Sequence, residues 1–136
     1  MVKFLLGVKG SGKTKRMIEM ANESAKTSDG NVVFIDRDRN HIHDLNRSIR
    51  FIDTSEFQLE NLKSFYGFIC GVISQNFDTE KIYIDSQKII SNAEDDCLEG
   101  FVQNLEKLGK KFKVEFIISC SRSLEGIPEF LKSCLI

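Results

Sequence analysis

The chain has 136 residues, enough for one domain with a buried core and too few for two. Lys and Arg total 19 against 20 for Asp and Glu, so no global field favours a nucleic acid or an anionic membrane as partner. The longest apolar runs, around Phe68 to Ile73 and Phe116 to Ile118, fall far short of the ~20 residues of a bilayer span, and the short first run, ended by Gly7, is not a signal peptide.

Val2 and Phe4 to Leu6 predict a strand that leads into Gly7-Val8-Lys9-Gly10-Ser11-Gly12-Lys13-Thr14. This segment fills every fixed position of the phosphate-binding pattern G-x-x-x-x-G-K-[ST]. A polyphosphate must be wrapped by backbone N–H groups, and Gly7, Gly10 and Gly12 let the backbone come close without Cβ collisions. Lys13 can then reach the β- and γ-phosphates, and Thr14 offers a hydroxyl to Mg²⁺. The helix that starts here points its positive end at the anion. An ordinary Gly-rich turn would satisfy the same letters, but the context is that of a phosphate loop. Met17, Ile18, Ala21 and Ala25 follow at helical spacing, with Lys15, Arg16, Glu19 and Glu23 left for solvent. Gly7, Val8, Lys9, Gly10, Ser11, Gly12, Lys13 and Thr14 are therefore the expected nucleotide-binding residues.

Asp29-Gly30 is a turn signal, and Asn31 to Asp36 reads as a buried strand. The polar segment Arg37 to Arg50 predicts a surface loop or short helix, and Arg50 to Asp53 a short strand. Ser55 with Gln58 makes a capping box for a helix carrying Leu59, Leu62, Phe65, Tyr66, Ile69, Val72 and Ile73. Lys81 to Asp85 is the next strand. Leu98, Phe101, Val102, Leu105 and Leu108 mark another amphipathic helix, with Gly109 as its expected stop. Phe112 to Cys120 predicts a final strand, after which Pro128 opens a short helix through Phe130 and Leu131. Strands alternating with helices predict an α/β fold: a single domain, residues 1–136, built as a three-layer sandwich around a mostly parallel sheet. Ligands of such sheets bind at the carboxyl ends of the strands.

Mg²⁺ bound with a nucleotide needs a carboxylate at the end of a neighbouring buried strand. Asp85 and Asp36 both qualify. Asp85 is preferred, because Arg37 and Arg39 follow Asp36 and would compete with a metal for its charge. Thr14 and Asp85 are thus the expected metal ligands. Ser86, next to Asp85, cannot accept a proton at neutral pH, which leaves Gln87, or a more distant acid such as Glu94 or Asp95, to position water. Ser119 and Ser121 can meet a γ-phosphate or its attacking water if their strand lies beside that of the loop; Arg122 can reach the same anion, although a solvated surface role is its commoner use. Lys13, Gln87 and Ser119 are the candidate catalytic residues. Arg37, Arg39, Arg47 and Arg50, interleaved with acids, read as a solvated face. His41 and His43 read as surface residues, since two adjacent candidates with no partner motif make a poor metal site.

Cys70, Cys97, Cys120 and Cys134 form no C-x-x-C pair, which argues against zinc and a disulfide framework. Reduced thiols in a cytoplasmic protein are expected, with Cys70 and Cys120 filling core space.

Through Gly7 to Thr14, the Ile82 to Asp85 strand and the serine-ended Phe112 strand, the chain resembles P-loop NTPases over most of its length. The resemblance implies that Lys13 and Thr14 bind phosphate and Mg²⁺ and that Asp85 is the Walker B aspartate. The whole chain is also similar to small bacterial ATP-binding proteins, some labelled as twitching-motility ATPases, although it is far shorter than a pilus-retraction motor and lacks that motor's acidic and histidine boxes. It resembles the zinc-containing thymidine kinases more distantly. Ser86 stands where those carry a glutamate, and the zinc cysteine pairs are absent. No guanine-reading N-K-x-D motif occurs, so ATP is the expected nucleotide by elimination. The resemblance implies an ATP-binding protein with weak Mg²⁺-dependent hydrolysis, acting as a nucleotide-dependent switch or with a protein partner. A small-molecule, nucleoside-type kinase and a non-catalytic nucleotide-binding interaction module are the alternatives. A homo-oligomer could complete the site with an arginine in trans, Arg122 being the candidate.

Overall fold

Consecutive apolar residues in a short run bounded by turns suit a strand covered on both faces, and four of the runs behave in this way. A computed structural model describes all 136 residues. The elements in chain order are β1 (Val2–Gly7), α1 (Lys13–Thr27), β2 (Asn31–Asp36), β3 (Arg50–Asp53), α2 (Leu62–Gln75), β4 (Thr79–Ile84), α3 (Lys88–Ser91), α4 (Asp95–Phe112), β5 (Glu115–Ser121) and α5 (Glu129–Lys132). Ile42–Asp44 and Thr54–Glu56 form 3-10 turns. The five strands make one sheet in the order β1-β5-β4-β2-β3, every pair parallel. β5 is therefore inserted between the first strand and the strand that leads to Asp85.

Side chains alternate between two cores. Phe4, Val33, Ile35, Ile82, Ile84, Phe116 and Ile118 pack with Phe65 and Ile69 of α2 and Leu98, Phe101 and Leu105 of α4. Leu5, Val32, Phe34, Tyr83 and Ile117 turn to the other face and meet Met17, Ile18 and Ala21 of α1, with Leu45 and Ile49 from the β2–β3 connection. Helices thus cover both faces of the sheet. No helix is long and apolar enough to cross a membrane.

Three boundaries differ from the sequence reading, each for a local reason. Ser55 does not cap α2: the Asp53 carboxylate captures its backbone N–H at 2.9 Å and its hydroxyl at 2.7 Å, which builds the 3-10 turn instead. The helix starts at Leu62 behind a capping box of Asn61 and Ser64. Gly109 does not stop α4, which runs on to Phe112 and ends at Lys113, a left-handed residue with φ 58°. Phe112 therefore belongs to the helix, not to β5. Gly109 serves close approach, since a Cβ there would lie 2.5 Å from the Val114 carbonyl oxygen. Gly109→Ala is expected to cost about 1–3 kcal/mol, although Ala is the better helix former, and to lower the melting temperature by roughly 3–10 °C. Thermal unfolding followed by circular dichroism checks this. A short helix, α3, was not legible at all.

Pro128 caps α5 as expected. Beyond it the chain returns to the sheet, where the Phe4 N–H donates to Cys134 O at 2.8 Å and the Ile136 N–H to Phe4 O at 3.0 Å. This covers the outer edge of β1, which would otherwise expose unpaired backbone groups.

Candidate functional site

Strand alternation decides what gathers at the carboxyl edge. Two residues beyond Leu5, Ile117, Tyr83, Phe34 and Phe51 come Gly7, Ser119, Asp85, Asp36 and Asp53, all on the α1 side of the sheet. In register, Leu5 faces Ser119 and Gly7 faces Ser121, so the serine-ended strand does lie beside that of the loop.

The loop between β1 and α1 folds on itself. Gly10 and Gly12 have φ of 85° and 87°, backbone conformations that a Cβ would strain. The Ser11 N–H donates to Val8 O at 3.2 Å, and the Lys13 ammonium reaches the same carbonyl at 3.0 Å. Gly7 leaves room for Ser11, whose Oγ would sit 2.5 Å from a Cβ there. No side chain caps α1, so its first N–H groups and its positive end are open to the cleft.

Facing the loop is Asp85, 1% exposed. Thr14 Oγ1, at the start of α1, donates to Asp85 Oδ2 at 2.8 Å, across the inserted strand. Ser86 Oγ donates to the same oxygen at 3.2 Å, and Ser119 Oγ donates to Oδ1. The Ser86 N–H in turn donates to Ser119 Oγ at 3.2 Å, and Ser86 holds a left-handed φ of 58°. Strain of this kind persists where its surroundings over-determine it, and such places concentrate at functional sites. The residues expected to bind a metal, Thr14 and Asp85, are thus in contact, with the candidate Ser119 as the third member.

These groups border a cavity of about 630 Å³ whose charged lining is Lys9, Lys13, Lys15, Arg37 and Lys88 against Asp85 alone. No hydrophobic side chain lines it. Such a cleft favours a strongly anionic ligand. Lys88, Ser91 and Asn92 are additions to the predicted site, and Arg37 and Lys15, which the sequence assigns to solvated faces, also line it.

Other candidates are held elsewhere. Gln87 lines the cavity, but its amide Nε2 donates to Thr54 Oγ1 and to Asp85 O, both at 3.1 Å. Thr54 Oγ1 also lies 3.1 Å from Asp36 O, so Gln87 ties the ends of β4, β2 and β3 together. Arg122 is not a solvated side chain: its guanidinium donates to Ser91 O at 3.3 Å, to Ala93 O and to Asp95 Oδ1 at 2.7 Å. It clamps the segment between α3 and α4 to the end of β5. Glu94 and Asp95 lie outside the cavity. His41 Nδ1 is 3.4 Å from Asp44 Oδ2, and His43 is exposed.

Asp36 is the anomaly. It is 2% exposed; the Arg37 backbone N–H donates to Oδ1 at 2.7 Å, while buried Oδ2 has no partner. Burial pushes its pKa up from 3.8 to about 6 against the Arg37 N–H, with Asp85 and Asp38 adding to the rise and His41 opposing it. Because the folded value lies above the unfolded one, the group costs nothing below pH 4, where it is protonated in both states. The cost grows as pH rises to about 6 and is constant above that. Asp36→Asn is therefore expected to stabilise the protein at pH 8 by about 1–3 kcal/mol, a gain that shrinks as pH falls towards 4. Urea unfolding at the two pH values measures it.

The chain matches no protein-family model and no curated protein.

Proposed function

We propose that the chain is a cytoplasmic protein of the P-loop NTPase fold that binds a nucleoside triphosphate, ATP by elimination, together with Mg²⁺. It hydrolyses the nucleotide slowly and works as a nucleotide-dependent switch. The observation that carries this reading is the Thr14 to Asp85 hydrogen bond at 2.8 Å, which brings the loop hydroxyl and the strand-end carboxylate to one point beside a cationic cleft. A hydroxyl and a carboxylate are hard oxygen donors of the kind Mg²⁺ takes when it also binds phosphate. The four unpaired cysteines suit a reducing compartment.

On nucleotide binding, Lys13 exchanges the Val8 carbonyl for β- and γ-phosphate oxygens, and the backbone N–H groups from Gly10 to Thr14 close round the same anion. Held at Thr14 and Asp85, Mg²⁺ would neutralise charge on the two outer phosphates. Ser119 orients the Asp85 carboxylate and stands at the end of the strand next to the loop. Among the residues lining the cleft, neither Ser86 nor the bonded amide of Gln87 is a strong base, and Arg122 is committed to the α3–α4 segment. Turnover on the order of 10⁻³ s⁻¹ or slower is expected, as for nucleotide switches acting without an activating partner. Calorimetric titration with Mg-ATP, followed by phosphate release, tests this. Saturable binding of one nucleotide with slow release is the expected result, and absence of binding refutes the reading.

A second reading, phosphoryl transfer to a small acceptor, draws on one further feature. A separate cavity of about 260 Å³, bounded by Thr14, Ile18, His41 and Asp44 among others, adjoins the start of α1 on the side of the Arg37 to Arg50 segment. ADP formation that rises well above hydrolysis when nucleosides are supplied would favour this reading.

A further inference from the structure

Most of the carboxylate and amide oxygens at the carboxyl ends of β4 and β3 are engaged. Asp85 receives Thr14 and Ser86 on Oδ2 and Ser119 on Oδ1. Gln87 Oε1 lies 3.3 Å from Thr54 Oγ1, and Asp53 Oδ1 receives Ser55. Two buried side-chain oxygens have no partner, Asp36 Oδ2 and Thr79 Oγ1, and of these Asp36 is the one at the carboxyl end of the sheet, since Thr79 begins β4. Native proteins rarely keep such an oxygen, and those that do hold it for an ordered water or ion, a ligand, a proton or a reaction. Asp36 follows Ile35, which is paired with Ile84, so it stands beside Asp85 at the end of the adjacent strand and on the same face. Arg37, the next residue, lines the triphosphate cleft with its side chain half exposed and only 3.6 Å from Asp38 as an ion pair. Asp36 itself does not line the cleft, and the Arg37 backbone N–H, which donates to Asp36 Oδ1 at 2.7 Å, ties it to a residue that does.

We propose that Asp36 Oδ2 accepts the hydrogen of the attacking hydroxyl, of water or of an acceptor alcohol, and holds that oxygen in line with the γ-phosphate. This deepens the proposed function and rests on it. The new bond forms between the hydroxyl oxygen and the γ-phosphorus. The bond from that phosphorus to the β–γ bridging oxygen breaks, its electron pair leaves on the diphosphate, and the hydroxyl proton passes to Asp36. A residue doing this is kept at a cost to stability, which is why removal is expected to stabilise the fold while it impairs the chemistry.

The experiment compares the full-length chain with Asp36→Asn and Asp36→Ser. It measures the affinity for a non-hydrolysable ATP analogue with Mg²⁺, the Mg²⁺ concentration at half saturation, the melting temperature, and ADP formation in water alone and with added nucleosides. The expected result is a loss of roughly 30-fold or more in whichever channel is active, in both variants. Analogue affinity and Mg²⁺ dependence stay within about threefold, and Asp36→Asn does not melt below the parent. Turnover by both variants within about threefold of the parent overturns the proposal, as does a parallel weakening of Mg²⁺ dependence, which would make Asp36 a metal ligand. A parent that binds the analogue but forms no ADP in either channel overturns this proposal and the slow hydrolysis, and leaves nucleotide binding standing. A parent that does not bind the analogue overturns the proposed function as well.

Discussion

Asp85→Asn is expected to leave the protein folded and to abolish the strengthening of nucleotide binding by Mg²⁺. Asn keeps the shape of the side chain, and the Thr14, Ser86 and Ser119 hydroxyls that donate to Asp85 can rotate to accept from its new NH₂ group. Stability should therefore stay within about 1 kcal/mol of the parent. The negative charge is lost, however, and no other carboxylate lines the cavity to replace it. A tenfold to hundredfold loss of affinity for the Mg²⁺ complex, about 1.4–2.7 kcal/mol, is expected, with metal-free nucleotide binding as well as before or better. Asp85→Ala separates charge from packing. It removes the acceptor for several buried or half-buried hydroxyls and should cost roughly 2–4 kcal/mol of stability in addition. Titrations with and without Mg²⁺ and urea melts of both variants decide the matter.

Lys13→Ala is expected to weaken triphosphate binding by about 100-fold or more, close to 2.7 kcal/mol, because a charge-assisted contact to two phosphates is removed from the centre of the cleft. Little stability should be lost with it. The only hydrogen bond of the Lys13 side chain within the protein goes to the Val8 carbonyl at 3.0 Å, at an exposed loop. A variant that melts with the parent yet fails to bind places the loss at the phosphate contact rather than in the fold. Neighbouring Lys9 and Lys15 line the same cavity, so their single alanine variants give the scale of a purely electrostatic effect, which added salt should screen. Lys13→Ala should exceed them by an order of magnitude, roughly 1.4 kcal/mol.

Much of this site is legible in the chain because it depends on local rules. The phosphate-loop pattern is contiguous, and glycines at positive φ have recognisable letters. Alternation along β2, β4 and β5 puts Asp36, Asp85 and Ser119 on one face once a neighbouring apolar residue is known to face α1. The strand order is another matter, since insertion of β5 between β1 and β4 is a product of long-range pairing that no short segment encodes. Side chains with several possible partners were equally opaque. Arg122 looked available for an anion because its partners, Ser91 O, Ala93 O and Asp95, lie about 30 residues earlier in the chain. The cations that follow Asp36 suggested an ion pair, yet Arg37 gives Asp36 only its backbone N–H, its guanidinium lies by Asp38, and Arg39 pairs with Glu56. Burial of a carboxylate without an ion pair is a property of the packed sheet edge, and the letters Asp-Arg-Asp-Arg conceal it.

Thr14 and Asp85 are proposed here as joint ligands of a metal held against a triphosphate. A crystal structure with Mg²⁺ and a non-hydrolysable ATP analogue tests that most directly. The account predicts the β- and γ-phosphates enclosed by the backbone from Gly10 to Thr14, with the cation about 2.1 Å from Thr14 Oγ1 and bound to Asp85 directly or through one water. A cation on Asp36 with Asp85 still hydrogen-bonded to Thr14, or phosphates lodged away from the loop, would contradict it.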